Sequence, residues 1–281
     1  MKYYNLFKIK TKPFNAEIIS SVMWTLDISG LQELEDELQV FIKPEQNVSK
    51  EDFENALEKL KIENLIKSYS VEEEICAYKN WNEIWEKSLN IIEVTKKIII
   101  KPTSKIYEAK AGQIVINLDP KMSFGTGEHQ TTKIMINLIE KHVRKNDFVL
   151  DVGSGTGILA IVCAKMADAK AIAIDNDEWC LDNGLENVDL NSVKDRVEIR
   201  LGEINEINET DFSLIVANIN KHILLDIKEE IFNRLKFDGR LILSGLLDTD
   251  YNDILKSYSE LGLKQIDLMK MDEWIGIVFK K

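Results

Sequence analysis

The chain has 281 residues, 44% hydrophobic and 30% charged, with a formal net charge of −12. This is the balance of a soluble globular protein, long enough for a sizeable core and two domains. No apolar run approaches the ~20 residues that span a bilayer, the N-terminus has no signal-peptide apolar region, and the negative charge argues against a broad nucleic-acid surface while suiting a basic protein partner.

Three cysteines, Cys76, Cys163 and Cys180, show no ligand spacing, so reduced core thiols in a cytoplasm are expected and a metal site is not. Residues 1–74 look like a separate α+β unit. Tyr3 to Lys10 and Leu31 to Ile42 read as strands, Ala16 to Leu26 as a helix, and Ser49 caps a second helix with Phe53, Leu57 and Leu60 on its apolar stripe. Ile62 to Val71 reads as a third strand. The β-α-β-α-β order fits a ferredoxin-like sandwich with one strand hidden. The unit carries no catalytic constellation, which makes it a recognition module or a stabilising appendage.

Residues 75–92, with Trp81 and Trp85 on one helical face, read as a linker helix to a domain over residues 93–281. Two β-rich runs, from Val94 and from Gln113, suggest a hairpin-like lead-in. The loop Asp119-Pro-Lys-Met-Ser-Phe-Gly-Thr-Gly-Glu-His-Gln-Thr-Thr132 follows. Its glycines allow movement, Phe124 reads as an exposed aromatic, and Thr131 or Thr132 is expected to cap a helix from Lys133 to His142. It reads either as a lid or as an ordinary loop. His129 has no partner at metal-ligand spacing.

Phe148-Val-Leu-Asp-Val152 reads as a buried parallel strand leading into Gly153, Gly155 and Gly157 and then a helix from Ile158. Dinucleotide folds use G-x-G-x-x-G. Here the third glycine comes one position early, and Asp151 stands in the strand end. A carboxylate there repels a diphosphate and suits a cationic ligand, which fits S-adenosylmethionine with its sulfonium and amino groups. The next strand ends at Asp175, about 20 residues past the first glycine, where nucleotide folds place an acid on ribose hydroxyls. A helix from Glu178 to Leu190 leads to strands from Arg196 and Ser213, the latter ending at Asn218, the ligand-binding edge of such a sheet. Asn218 either orients an acceptor amine or caps the helix expected from Ile223 to Leu235. A strand from Gly239, a helix from Tyr251 and an antiparallel pair, Lys264 to Met271 and Trp274 to Phe279, complete an α/β, Rossmann-like sheet.

The loop Asp119-Pro-x-Met-x-Phe-Gly-Thr-Gly-x-His-x-Thr-Thr132, the glycine turn, and the strand ends Ile-Asp-Asn-Asp177 and Val-Ala-Asn-Ile219 resemble the signature of the PrmA-type methyltransferases, which modify large-subunit ribosomal protein eleven. The resemblance implies that Thr132, Gly153, Asp175 and Asn218 contact S-adenosylmethionine or frame its site, and that Phe124 and its loop close over it. It also implies an N-terminal ferredoxin-like domain that grips the ribosomal protein. The expected activity is methyl transfer to lysine side chains, and to an N-terminal amine, of free ribosomal protein eleven by a cytoplasmic monomer that binds neither nucleic acid nor membrane. Asp175 is expected on the ribose, with Asp151 and the backbone of Gly153, Gly155 and Gly157 against the methionine part. Asn218 orients the amine, Phe124 covers it, and His129 or solvent takes the proton. The rival readings are a methyltransferase of another protein or small amine, and a non-catalytic cofactor-binding assembly module.

Overall fold

The structure, a computed structural model, describes residues 3–77, 89–121 and 123–281. Its chain divides into two compact units, residues 1–81 and 82–281. Alternation builds the first sheet: in β1 (Tyr3–Lys12), Phe7, Ile9 and Thr11 are buried and Lys10 is exposed, as in a strand with one face on a core. β2 (Gly30–Glu33), β3 (Leu38–Ile42) and β4 (Ser68–Ala77) join it in the order β2-β3-β1-β4, every pair antiparallel. α1 (Ala16–Met23) and α2 (Lys50–Ile62) bury Ile19, Met23, Phe53 and Leu57 in this unit's core, and Phe53 sits 4.7 Å from Phe7 between ring centroids.

The element order is thus β-α-β-β-α-β, one strand more than the sequence reading. The run from Leu31 to Ile42 is broken by a turn that the Leu34 N–H closes on the Glu37 carbonyl at 2.9 Å. The acidic tip Glu35-Asp36 favours a solvated turn over a continued strand. The expected strand from Ile62 also starts late. α2 extends to Ile62 and stops at Asn64, φ 60°, where Leu65 N–H reaches back to the Leu60 carbonyl at 2.9 Å. This is a left-handed helix stop with asparagine in glycine's place. Most of the expected 75–92 linker helix, including Trp81 and Trp85, lies outside the described residues.

The second unit opens on a small sheet, β5 (Ile92–Glu93), β6 (Ile98–Lys101) and β7 (Ile114–Asn117). β5 pairs antiparallel with β6, but β6 and β7 run parallel, which corrects the expected hairpin. A two-residue turn can only reverse a chain; the long polar connection after Lys101 lets it return in the same direction.

The parallel strands of the main sheet are β8 (Phe148–Val152), β9 (Lys170–Asp175), β10 (Val197–Leu201), β11 (Phe212–Asn218) and β12 (Leu235–Leu247), the inner ones built on apolar runs and the edge strand β10 alternating buried and exposed residues. β13 (Lys264–Met271) and β14 (Trp274–Lys280) add an antiparallel edge, giving the order β10-β9-β8-β11-β12-β14-β13. Both faces are covered, so β8 sends Val149 into one core and Leu150 and Val152 into the other. α3 (Gln130–His142), α4 (Ile158–Ala167) and α5 (Glu178–Leu190) pack on the first face. α6 (Lys221–Asp226), α7 (Lys228–Arg234) and α8 (Tyr251–Glu260) pack on the second. The helix expected over residues 223–235 is therefore two short ones meeting at Ile227. Strand order reverses direction between β8 and β11, and a crevice for a ligand opens at such a switch point beyond the strands' carboxyl ends.

Candidate active site

All three glycines after β8 have positive φ: Gly153 at 70°, Gly155 at 52° and Gly157 at 76°. A β-carbon on Gly153 would strike the Ile219 side chain, and one on Gly155 would strike the Phe124 carbonyl oxygen. These positions need glycine both for conformation and for close approach. Gly157 instead begins α4, and a β-carbon there would lie 3.3 Å from Ile199 Cδ1 and 3.7 Å from Gly184 Cα. It serves helix packing.

Asp175, at the end of β9, holds this turn from the side. One carboxylate oxygen accepts from Gly155 N–H at 2.8 Å and the other from Asp177 N–H at 3.1 Å. Each oxygen has a second lone pair for a hydroxyl. Asp151 lies under the turn and is wholly buried. Its Oδ2 accepts from Ala160 N–H at 3.1 Å, and its Oδ1 has no partner. Burial pushes its carboxyl up to about 7, with the Asp175 charge adding and the Ala160 bond opposing.

The loop from Asp119 is pinned across the turn. Thr156 donates its N–H to the Phe124 carbonyl at 3.0 Å and its hydroxyl to the Gly125 carbonyl at 2.9 Å. The Phe124 ring remains 55% exposed. The expected cap of α3 moves upstream: His129, not Thr131 or Thr132, is the N-cap, its Nδ1 accepting from Thr131 N–H at 3.3 Å and lying 2.8 Å from Thr131 Oγ1. That acceptor role assigns the hydrogen of the neutral ring to Nε2. His129 also stands edge-on between two rings, 5.6 Å from Phe124 and 4.9 Å from Trp274 by centroids.

A groove of about 600 Å³ collects Phe124, His129, Gly153, Gly155, Asp175 and Asn218. Gly153 and Asp175 also border a neighbouring hollow of about 500 Å³ between Gly202 and Ile223. Volumes of this order suit a nucleoside-sized ligand. Two of its lining residues carry buried polar atoms without a partner, Ser123 Oγ and Asn218 Oδ1. A larger groove near Arg196 and Arg200, at the β10 edge, contains none of these groups.

Three expected site residues do not line the groove. Thr132 is buried with its hydroxyl unpaired, and Thr131 takes its place on the wall. Asp151 underpins the turn, and Gly157 packs the helix. Trp274 was legible only as a strand residue, because nothing local says that β14's start reaches α3's cap. Gly245 was also missed. Its φ is 80°, and a β-carbon there would sit 2.5 Å from the Ile219 carbonyl oxygen, beside Asn218. A glycine inside a strand pattern marks such a close approach.

Five parallel strands closed by an antiparallel pair, a glycine turn on the first strand and an acid on the second define a class I, S-adenosylmethionine-dependent methyltransferase. A family model described as ribosomal protein L11 methyltransferase (PrmA) matches residues 20–281, and the chain belongs to that family. It is 34% identical to the ribosomal protein L11 methyltransferase of Acetivibrio thermocellus, over 75% of this chain and 69% of that one. With the enzyme of the same name from Alkaliphilus metalliredigens it shares 31% identity, over 97% of this chain and 96% of the relative. Among solved structures it resembles the ribosomal protein L11 methylase of Lactobacillus delbrueckii subsp. bulgaricus, with TM-score 0.64 and 30% identity, covering 68% of this chain and 98% of that one.

Proposed function

We propose that this protein transfers methyl groups from S-adenosylmethionine to amines of ribosomal protein L11, lysine side chains foremost. The observation that carries the reading is the convergence of Gly153, Gly155, Asp175, Asn218 and Phe124 on one groove at the carboxyl edge of the sheet. The groove suits the cofactor on its own terms. Gly153 and Gly155 line it with backbone while their missing β-carbons let Ile219 and the Phe124 carbonyl close in on the turn, Asp175 keeps lone pairs for ribose hydroxyls, and the groove's Asn218 Oδ1 lacks a partner. When bound, the cofactor supplies an electrophilic methyl group on a sulfonium.

The chain's own residues do the rest. Asp175 would hold the ribose end, and the turn at Gly153–Gly155 would hold the methionine part. Asn218 Oδ1 would accept from the incoming amine and so orient its lone pair for attack. Phe124, His129 and Trp274 form an aromatic wall that excludes water and favours the cation formed on the nitrogen. The amine must arrive neutral, and desolvation between this wall and a positive sulfonium lowers its pKa. With Nδ1 committed to the helix cap, His129 acts as wall, and solvent takes the proton. Orienting two reactants in this way is worth roughly 7–11 kcal/mol.

The N-terminal unit is proposed as a ferredoxin-like recognition domain, on the strength of its β-α-β-β-α-β order, and residues 75–92 as the link to the catalytic domain over 93–281. Incubation of purified protein with free L11 and cofactor, followed by peptide mass spectrometry, tests the substrate group. Added 14-dalton increments on lysine support it, whereas increments confined to other side chains contradict it.

A further inference from the structure

Asn183, Asn187 and Asn191 recur every fourth residue along α5 and its C-cap, so they share one helix face. All three are buried, Asn187 completely. Buried amides are unfavourable unless paired, and these are spent on two segments. Asn191 accepts from Asn117 N–H at 3.0 Å and donates to the Asn117 carbonyl at 2.6 Å. Asn183 donates to the Asp119 carbonyl at 2.7 Å. Asn187 reaches both segments: its Oδ1 accepts from Asp119 N–H at 3.0 Å, and its Nδ2 donates to the Thr156 carbonyl at 3.1 Å. Thr156 in turn holds the carbonyls of Phe124 and Gly125 through its N–H and hydroxyl. One amide thus spans the root of the 119–129 loop and the glycine turn on which that loop rests.

We propose that Asn187 is a positioning residue for methyl transfer, fixing the loop on the glycine turn through Thr156 so that Phe124 is held at the groove before the cofactor arrives. The inference rests on the methyltransferase reading above. Ordering the loop in advance removes an entropic cost from cofactor binding. Asparagine supplies both groups at once: aspartate lacks the donor to Thr156, and an aliphatic side chain would strand both Asp119 N–H and the Thr156 carbonyl.

The test measures S-adenosylmethionine affinity by calorimetry, with melting temperature alongside, for Asn187→Ala, Thr156→Val and the control Asn191→Ala. Asn191 ties down Asn117 without touching Thr156 or the loop's glycines. Asn187→Ala and Thr156→Val should each weaken binding by about tenfold, and their combination by little more than either alone, because they break one chain of contacts. Asn191→Ala should lower the melting temperature and leave affinity unchanged. Wild-type affinity in Asn187→Ala, or an equal loss in Asn191→Ala, overturns the positioning role. Should Asn187→Ala fail to fold, unchanged affinity in Thr156→Val overturns it instead. A wild-type chain that binds no cofactor would remove the methyltransferase reading itself, a result distinct from either.

Discussion

Asp175 does two jobs with one carboxylate, since it already accepts from Gly155 N–H and Asp177 N–H. Asp175→Ala should weaken cofactor binding by about 1.5–3 kcal/mol, the worth of hydrogen bonds to a charged group, read by titration calorimetry. An unchanged dissociation constant would remove Asp175 from the ribose role. Asp151 makes a prediction of opposite character. Burial holds its carboxyl up at about 7 in the folded protein, well above the ordinary aspartate range, so the folded chain binds the proton that the unfolded chain has released. Stability from this group is complete below the unfolded value and is lost as pH rises through about 7. Asp151→Asn should therefore melt no higher than wild type near pH 4 and distinctly higher at pH 8 (pH values about those of the two ends of the window). Equal melting temperatures at both ends would contradict the buried acid. The sequence placed a carboxylate here but gave no sign that the strand's alternation turns it under α4 rather than toward the ligand.

At the scale of elements, one buried ion pair ties three of them to the turn that leads into β8. Arg240 on β12 donates to both oxygens of Asp147, at 2.8 and 3.0 Å, to the Ser213 carbonyl on β11 at 3.3 Å and to the His142 carbonyl ending α3. Both charges are nearly out of solvent, and burial draws the Arg240 guanidinium down while Asp147 opposes this. Arg240→Ala should cost about 3–5 kcal/mol by stranding Asp147, and replacing both partners with apolar residues should cost less; denaturant melts of the single and double variants decide it. The inner strands β8, β9 and β11 were legible because buried parallel strands are plain apolar runs, and the edge strand β10 by its alternation of apolar and charged residues. β2 was read as part of one strand with β3, and the turn between them was not legible, because only the polar tip Glu35-Asp36 interrupts the run. The parallel pairing of β6 with β7 and the placement of Trp274 beside His129 depend on contacts distant in sequence, which no local pattern carries. The loop from Asp119 was legible as a unit through its glycines and Phe124. Its anchorage on α5 was present in the sequence as the four-residue recurrence of asparagine, an uncommon pattern in a helix interior.

Over the whole molecule, the apolar clusters divide as the chain does. One draws on residues from Phe7 to Val71, and the other two on residues from Ile98 onward. Each unit therefore carries a core of its own. Deleting residues 1–74 should leave cofactor affinity intact and abolish methylation of the large substrate; full activity of the shortened chain would contradict a recognition role for the N-terminal unit. Transfer of labelled methyl from S-adenosylmethionine into ribosomal proteins taken from cells lacking this gene tests chemistry and substrate together. Label is expected in L11, on amine nitrogens, and much less of it when Asp175→Ala protein is used at limiting cofactor. Label in a different protein would contradict the substrate, and no label anywhere from a chain that binds the cofactor would contradict the enzyme.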